Sequence, residues 1–210
     1  MRFNPDAHRR RSIRLGGYDY SRPGAYFVTV CAHGRECRLG EIAGGEVRLN
    51  DAGEMVQRTW EELPSKYPGV EIDSFVVMPN HVHGIIVLTD PVGAGPRARP
   101  ACPGLPARPV EGRPRGASPT RFSLADVVHR FKSLTTARYR SGVARLGWPP
   151  FSARLWQRNY YDRIIRGEEE LAKIREYIAA NPVQWAEDEN HPGNVSHPQG
   201  RISYSPRGIV

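Results

Sequence analysis

The chain contains few cysteines and no long hydrophobic run. Its 210 residues include three cysteines (Cys31, Cys37 and Cys102), and no two of them form a Cys-x-x-Cys pair. An odd count without paired spacing argues against a disulfide framework and against a thiolate zinc site. The Arg-rich start, residues 1–14, lacks the apolar core of a secretory signal, and no stretch has the length of a membrane span. We therefore expect a cytoplasmic protein that does not bind membranes.

The composition is also poor in hydrophobic residues and rich in positive charge. The hydrophobic fraction is 39%, while Gly (21) and Pro (19) are numerous, which indicates a folded part diluted by irregular segments. Lys and Arg number 30 against 22 Asp and Glu, giving a net charge of +8 and a pI near 9.7. This charge favours a polyanionic partner such as nucleic acid, although basic proteins without one are common.

The length predicts one domain with appendages. Residues 90–120 are dominated by Pro, Gly, Ala and Arg without an apolar period, and this composition predicts a disordered insertion. The domain is expected to span residues 1–187, followed by a loosely ordered tail over 188–210. The basic start of the chain is expected to form an arm.

Hydrophobic periodicity predicts strands and helices in alternation. Strands are expected at 25–31, 71–78, 81–88 and within 155–166, with a hairpin around Gly44-Gly45 in residues 38–50. Capping-box spacing at Asp51 predicts a helix to about Tyr67, a second helix begins near Ser123, and an acidic first turn begins a last helix at Glu168. This order predicts an α+β fold with helices on one face of an antiparallel sheet.

The segment Pro79-Asn80-His81-Val82-His83 carries the first candidate site. Strand side chains alternate, so His81 and His83 share one face while Val82 enters the core. Two imidazoles on a rigid strand can hold a divalent metal and leave room for another ligand. A His-x-His pair on a strand is also often an ordinary hydrogen-bonded polar face.

Tyr177 and Asn181 are four residues apart on the last helix and therefore lie on one helical face. The Asn181 amide oxygen is an acceptable ligand for Mg²⁺ or Mn²⁺. A tyrosine beside a metal-bound phosphate is a candidate nucleophile, although a free phenol has a pKa of about 10 and needs activation. The alternative is a half-buried tyrosine and an ordinary residue at a helix end before Pro182.

Together, these motifs resemble the single-tyrosine HUH (His-hydrophobic-His) transposases of insertion sequences, and in particular the REP-associated tyrosine transposases. The resemblance rests on His81-Val82-His83 after Met78-Pro79-Asn80, and on Tyr177 to Val183 (YIAANPV). It extends to residues 14–26, Phe131-Lys132-Ser133 and Trp156 to Tyr161, and covers most of residues 10–187 outside the insertion.

The resemblance implies a ferredoxin-like HUH endonuclease fold, an antiparallel sheet with helices mainly on one face. His81, His83 and Asn181 would bind Mg²⁺ or Mn²⁺, although some relatives carry Gln at the third position. Tyr177 would be the nucleophile, and Tyr160 and Tyr161 would belong to the preceding strand. The implied activity is cleavage and transfer of single-stranded DNA near hairpins, through a covalent 5′-phosphotyrosine and a free 3′-OH.

Six basic residues are candidates for contacts with the DNA backbone: Arg130, Lys132, Arg138, Arg158, Arg163 and Arg166. A solvated helix face would have the same composition. Two alternative functions remain open from the sequence, namely a replication-type HUH nickase and a non-catalytic or domesticated DNA-binding protein on the same fold. A histidine-triad hydrolase is disfavoured because position 85 is Ile85. The sequence leaves the oligomeric state open between monomer and dimer.

Overall fold

A computed structural model describes residue 15 and residues 17–90 and 121–194. The expected basic arm, the 90–120 insertion beyond Asp90 and the end of the tail lie outside these residues. Among the residues described, no helix combines the length and the apolar content needed to cross a membrane.

The described residues contain a four-stranded antiparallel sheet. Its strands are β1 (Gly24–Cys31), β4 (Val70–Met78), β5 (His81–Leu88) and β6 (Tyr161–Ile165), in the spatial order β4-β5-β1-β6. With the helices α1 (Asp51–Glu61) and α3 (Leu124–Leu146), the chain order is βαββαβ, the ferredoxin-like arrangement. The predicted α+β class is confirmed, although the last strand occupies less of residues 155–166 than the sequence allowed.

A separate two-stranded hairpin joins β1 to α1. Its strands are β2 (Gly40–Ala43) and β3 (Glu46–Leu49), linked by Gly44 and Gly45 with φ of 63° and 80°. Two consecutive positive φ angles at a two-residue hairpin loop favour glycine, because side chains with a Cβ rarely adopt them. The predicted hairpin is therefore confirmed.

The helix ends follow from local capping. Ser123 and Asp126 form a reciprocal capping box at the start of α3. The first helix differs from the prediction, because Asn50 rather than Asp51 is its cap and accepts a hydrogen bond from the Gly53 N–H. This helix also ends early, and a separate turn, α2 (Leu63–Lys66), follows it with Pro64 at its start, where a missing N–H is tolerated.

The larger hydrophobic core lies between the sheet and the pair α1 and α3. Tyr26, Val28, Val82 and Ile86 of the sheet pack there against helix side chains that include Trp60 and Phe131. A Cβ at position 84 would lie 2.4 Å from the Trp60 ring, so Gly84 allows this indole to approach the strand. Val82 thus enters the core as predicted.

A smaller core covers the opposite face of the sheet. Phe27 and Ile85 meet Ile174 and Ile178 of the last helix, α4 (Glu168–Ala180). The prediction that helices lie mainly on one face of the sheet is confirmed, because α1 and α3 share a face. The last helix, α4, packs on the opposite face. This position brings α4 onto the same face as the two histidines.

Candidate functional site

The two histidines lie side by side on the face of β5 that α4 covers. Their ring centroids are 4.3 Å apart, and their side chains are buried, with exposures of 0% and 1%. The register pairs His81 with Cys31 and His83 with Thr29, so the site lies at one end of the sheet. Thr29 Oγ1 is 2.9 Å from His83 Nδ1, and this contact leaves Nε2 of His83 directed away from β1.

Tyr177 reaches the histidine pair from α4. Its hydroxyl lies 3.3 Å from His83 Nε2, and its ring makes an edge contact with Phe27. Of the two tyrosines that the sequence assigned to the preceding strand, Tyr161 begins β6 and Tyr160 directly precedes it. Tyr160 is buried in the larger core on the far side of the sheet. Tyr177 thus places its hydroxyl in contact with a site histidine.

A carboxylate completes the group. Asp188 Oδ2 lies 3.9 Å from Nε2 of His81 and 3.9 Å from Nε2 of His83. The ligand atoms of the three residues all lie within 4.8 Å of one another, and all three side chains are buried. Two imidazoles and one carboxylate form a donor set suited to a divalent cation.

Asn181, the residue that caps the end of α4, lies at the same place. Its Nδ2 donates a hydrogen bond of 2.9 Å to Asp188 Oδ2. Its Oδ1 and the Nε2 of His81 are buried and have no hydrogen-bond partner within the described part of the chain. Buried polar atoms are seldom left without a partner, because each loses its hydration. Two such acceptors beside a carboxylate fit a bound cation, so these residues can hold the metal that the motifs imply.

The protonation states suit a metal ligand set. Burial, followed by the neighbouring His83, lowers the pKa of His81 well below its usual range, so this imidazole is neutral near pH 7. Burial acts to raise the pKa of Asp188, but its interactions with His83, His81 and Asn181 outweigh burial. The pKa of Asp188 therefore lies below its ordinary value, and the group carries a negative charge.

Ion pairs hold α4 on the sheet at both edges. Arg175 binds Asp73 of β4 through two hydrogen bonds of 2.9 and 2.6 Å, and Arg163 of β6 binds Glu170 at 2.6 Å. The hydrogen bond from Arg175 lowers the pKa of Asp73 to about 2. Both pairs link the helix that carries Tyr177 to the edge strands of the sheet.

The six candidate DNA-contacting residues do not share one surface. Arg138 binds Glu62 and Thr59 at 2.7 Å each, and Lys132 donates to the carbonyls of residues 157 and 159. Arg130 stacks over the rings of Tyr67 and Phe122. These three belong to α3, on the face opposite the histidines, where they contribute to packing.

The other three lie around β6. Arg163 is half-buried in its pair with Glu170, while Arg158 and Arg166 are exposed. Arg158 follows Gln157, whose N–H donates to the Cys31 carbonyl beside the site, and Arg166 follows the far end of the strand. Arg158 is thus at the histidine end of the sheet and Arg166 at the other end.

Asp188 is the site residue that sequence reasoning missed. The residues from 188 onward were expected to form a loosely ordered tail, but Asp188 and Asn190 are buried and residues 188–194 are among those described. Helical spacing could not identify Asp188, because Pro182 ends the helix and breaks the phase. The one available signal was Trp185, a large aromatic in an otherwise polar segment, whose ring lies 5.9 Å from that of His81.

The chain is similar in sequence to a protein of known genomic origin. An uncharacterized protein of Haemophilus influenzae is 38% identical over 188 residues, which are 90% of this chain and 96% of that protein. No family model matches the chain.

A solved structure of a REP-associated tyrosine transposase bound to a REP hairpin is also similar. It has a TM-score of 0.49 and 18% identity, with 84% of this chain and 76% of that chain covered.

Proposed function

The chain belongs to the same family as the Haemophilus influenzae protein. We propose that it is a metal-dependent endonuclease and strand transferase for single-stranded DNA. The observation that carries this proposal is the contact of Tyr177 with a group of residues able to hold a cation. The hydroxyl lies 3.3 Å from His83 Nε2, and the ligand atoms of His81, His83 and Asp188 lie within 4.8 Å of one another. In the cell, the proposed activity of the protein is that of a transposase, and its substrate is hairpin DNA.

The proposed reaction is a transesterification at phosphorus. The Tyr177 oxygen forms a bond to the phosphorus, the bond to the 3′ oxygen breaks, and the 3′ oxygen takes up, through solvent, the proton that the phenol gives up. The product is a 5′-phosphotyrosine with a free 3′-OH, and the stored ester bond allows rejoining to another 3′ end without ATP. Mg²⁺ or Mn²⁺ on His81, His83 and Asp188, with Asn181 as a further donor, would stabilise charge on the non-bridging oxygens.

Each residue of the group has a distinct task in this scheme. His81 is neutral because burial lowers its pKa, and it therefore offers a lone pair to a cation. Asp188 supplies the negative charge of the ligand set. Thr29 orients the His83 ring from the neighbouring strand. The ion pairs of Arg175 and Arg163 hold the nucleophile's helix in place.

We propose that the DNA backbone passes the histidine end of the sheet, where Arg158 is exposed. Arg158→Gln is expected to weaken binding of a single-stranded hairpin and to reduce the slope of log K against log salt by about 0.7, the value for one phosphate contact. Arg166→Gln makes the same charge change at the far end of β6 and is expected to leave the slope unchanged. The measurement is fluorescence anisotropy over a salt series, and equal slopes in both variants would contradict this path.

Trp185 is a second proposed DNA contact. It is half-buried between the rings of His81 and His191, with centroid distances of 5.9 and 4.9 Å, so part of the indole remains accessible beside the site. Trp185→Ala is expected to weaken hairpin binding by about 1–3 kcal/mol, the range for stacking of one base on an aromatic ring. Trp185→Phe keeps a stacking surface and should retain most of the affinity; an equal loss in both variants would contradict base stacking.

The central test is formation of a covalent protein–DNA adduct. Single-stranded hairpin DNA, labelled on the 3′ side of the cleavage position, is incubated with the protein and Mn²⁺ and separated under denaturing conditions. The proposal expects a labelled band at the mass of the protein plus the DNA fragment, and its loss in EDTA. Hairpin binding without any adduct, over a panel of hairpin sequences, would instead favour a non-catalytic DNA-binding protein.

A further inference from the structure

Asn80 lies at the centre of a buried hydrogen-bond network next to the site. It occupies the turn between β4 and β5, directly before His81, and its exposure is 0%. Its Nδ2 donates to two carbonyl oxygens, those of Arg35 and Asn190, at 2.8 Å each. Its Oδ1 lies 2.9 Å from His81 Nδ1. The side chain thus contacts three separate segments of the chain.

The two carbonyl partners determine the orientation of the Asn80 amide. Both hydrogens of Nδ2 are used, and rotating the amide by half a turn would place Oδ1 against two carbonyl oxygens. Oδ1 must therefore face His81, and since it can only accept, Nδ1 of His81 must carry the proton. A neutral imidazole protonated at Nδ1 has its lone pair on Nε2. Nε2 is the atom that faces Asp188 at 3.9 Å.

The same network holds the segment that carries Asp188. Asn190 receives the Asn80 hydrogen bond at its carbonyl, accepts a bond of 3.3 Å from Cys31 Sγ at its side chain, and donates its N–H to Asp188 Oδ1 at 2.5 Å. The Arg35 guanidinium donates to the Glu189 carbonyl in the same segment. Asn80 thus connects the strand of the histidines to the residues that place the carboxylate.

We infer that Asn80 is a positioning residue that sets the His81 tautomer and anchors the Asp188 segment to the histidine strand. The role of Asn80 in catalysis rests on the proposed function, whereas the His81 tautomer is a property of the protein without metal or DNA. Partners of metal-ligating histidines commonly act in this way, and their loss lowers metal affinity by about 10–100-fold. The assignment goes beyond the ligand set because Asn80 itself offers no free donor atom to a cation.

Two variants separate the two tasks. Asn80→Asp keeps an acceptor for His81 Nδ1–H but cannot donate to the carbonyls, so it should retain the tautomer and release residues 188–190. Asn80→Ala removes both contacts and should lose the single tautomer as well. Thr29→Val serves as a control, because it alters only the partner of His83 and should leave His81 unchanged.

The readout is nitrogen-15 NMR of the histidine rings in the metal-free protein at neutral pH, with amide hydrogen exchange for residues 188–190 and Mn²⁺ titration calorimetry. We expect Nδ1-protonated His81 in the wild type, a tautomer mixture in Asn80→Ala, and Mn²⁺ binding about 10–100-fold weaker in that variant. Faster exchange at residues 188–190 is expected in both Asn80 variants.

An Nε2-protonated His81 in the wild type would overturn the inference, even if neither variant folds. An unchanged tautomer in folded Asn80→Ala would also overturn it. The proposed function fails separately, because a wild-type protein with the expected tautomer and no DNA adduct would refute the nuclease and leave the positioning role intact.

Discussion

Tyr177→Phe is expected to abolish the covalent adduct with single-stranded hairpin DNA while leaving hairpin affinity unchanged. The substitution removes the one atom that would attack phosphorus and keeps the ring, whose edge contact with Phe27 has a centroid distance of 6.0 Å. Removing a nucleophile costs orders of magnitude in rate, so we expect a loss of at least about 10³-fold. The measurement is denaturing electrophoresis of labelled DNA after incubation with Mn²⁺.

The matched control is Tyr161→Phe. Tyr161 lies on the same face of the sheet and also packs on Phe27, with a centroid distance of 6.5 Å, but it projects from β6 and not from α4. This variant should form the adduct at the wild-type rate. Tyr177→Phe removes the contact of the hydroxyl with His83, and loss of a hydrogen bond costs about 0.5–1.5 kcal/mol of stability, so we expect the variant to stay folded. An adduct in Tyr177→Phe that is lost in Tyr161→Phe would reassign the nucleophile.

Asp188→Asn is expected to weaken Mn²⁺ binding by at least about 100-fold, because it removes the negative charge from the three-residue group. The adduct should decrease in parallel at low Mn²⁺ and recover partly as Mn²⁺ is raised. The fold should tolerate the change, since Asn at position 188 can still accept from the Asn190 N–H. Half a turn of the Asn181 amide would then present its Oδ1, which has no partner among the described residues, to the new N–H group.

Glu187→Gln is the control for this prediction. Glu187 is exposed and lies one residue before Asp188, so the variant makes the same charge change outside the group. Its Mn²⁺ affinity should equal that of the wild type, as measured by calorimetry. Equal weakening in the two variants would indicate a general electrostatic effect, and unchanged binding in Asp188→Asn would remove Asp188 from the ligand set.

Much of the fold follows from periodicities that are local in the chain. The alternation of β5 puts His81 and His83 on one face, and the four-residue spacing in α4 puts Tyr177 and Asn181 on one face; both relations hold whatever the elements pack against. Helix ends were less predictable, because Asn50 and Asp51 are both good caps and the choice between them depends on the exact backbone angles.

The basic residues show the limit of composition as a guide to function. Arg138 and Lys132 carry the charge expected of a DNA contact, but α3 packs beside α1 and the loop before β6, where acceptors take up both side chains. Arg158 and Arg166 flank β6 on its two sides, and the pairing of β6 with β1 places Arg158 near the histidines and Arg166 away from them. Which arginines remain available to a ligand is a property of packing.

The sequence by itself determined the elements, the α+β class and two halves of a site, because these depend on short-range spacing. The tertiary structure decided how the halves meet, since α4 crosses to the face of the sheet opposite α1 and α3 and brings Tyr177 to His83. It also supplied Asp188 and the Asn80 network from a segment without any periodic signal. Such long-range contacts depend on where the chain returns after Pro182, and no local pattern encodes that path.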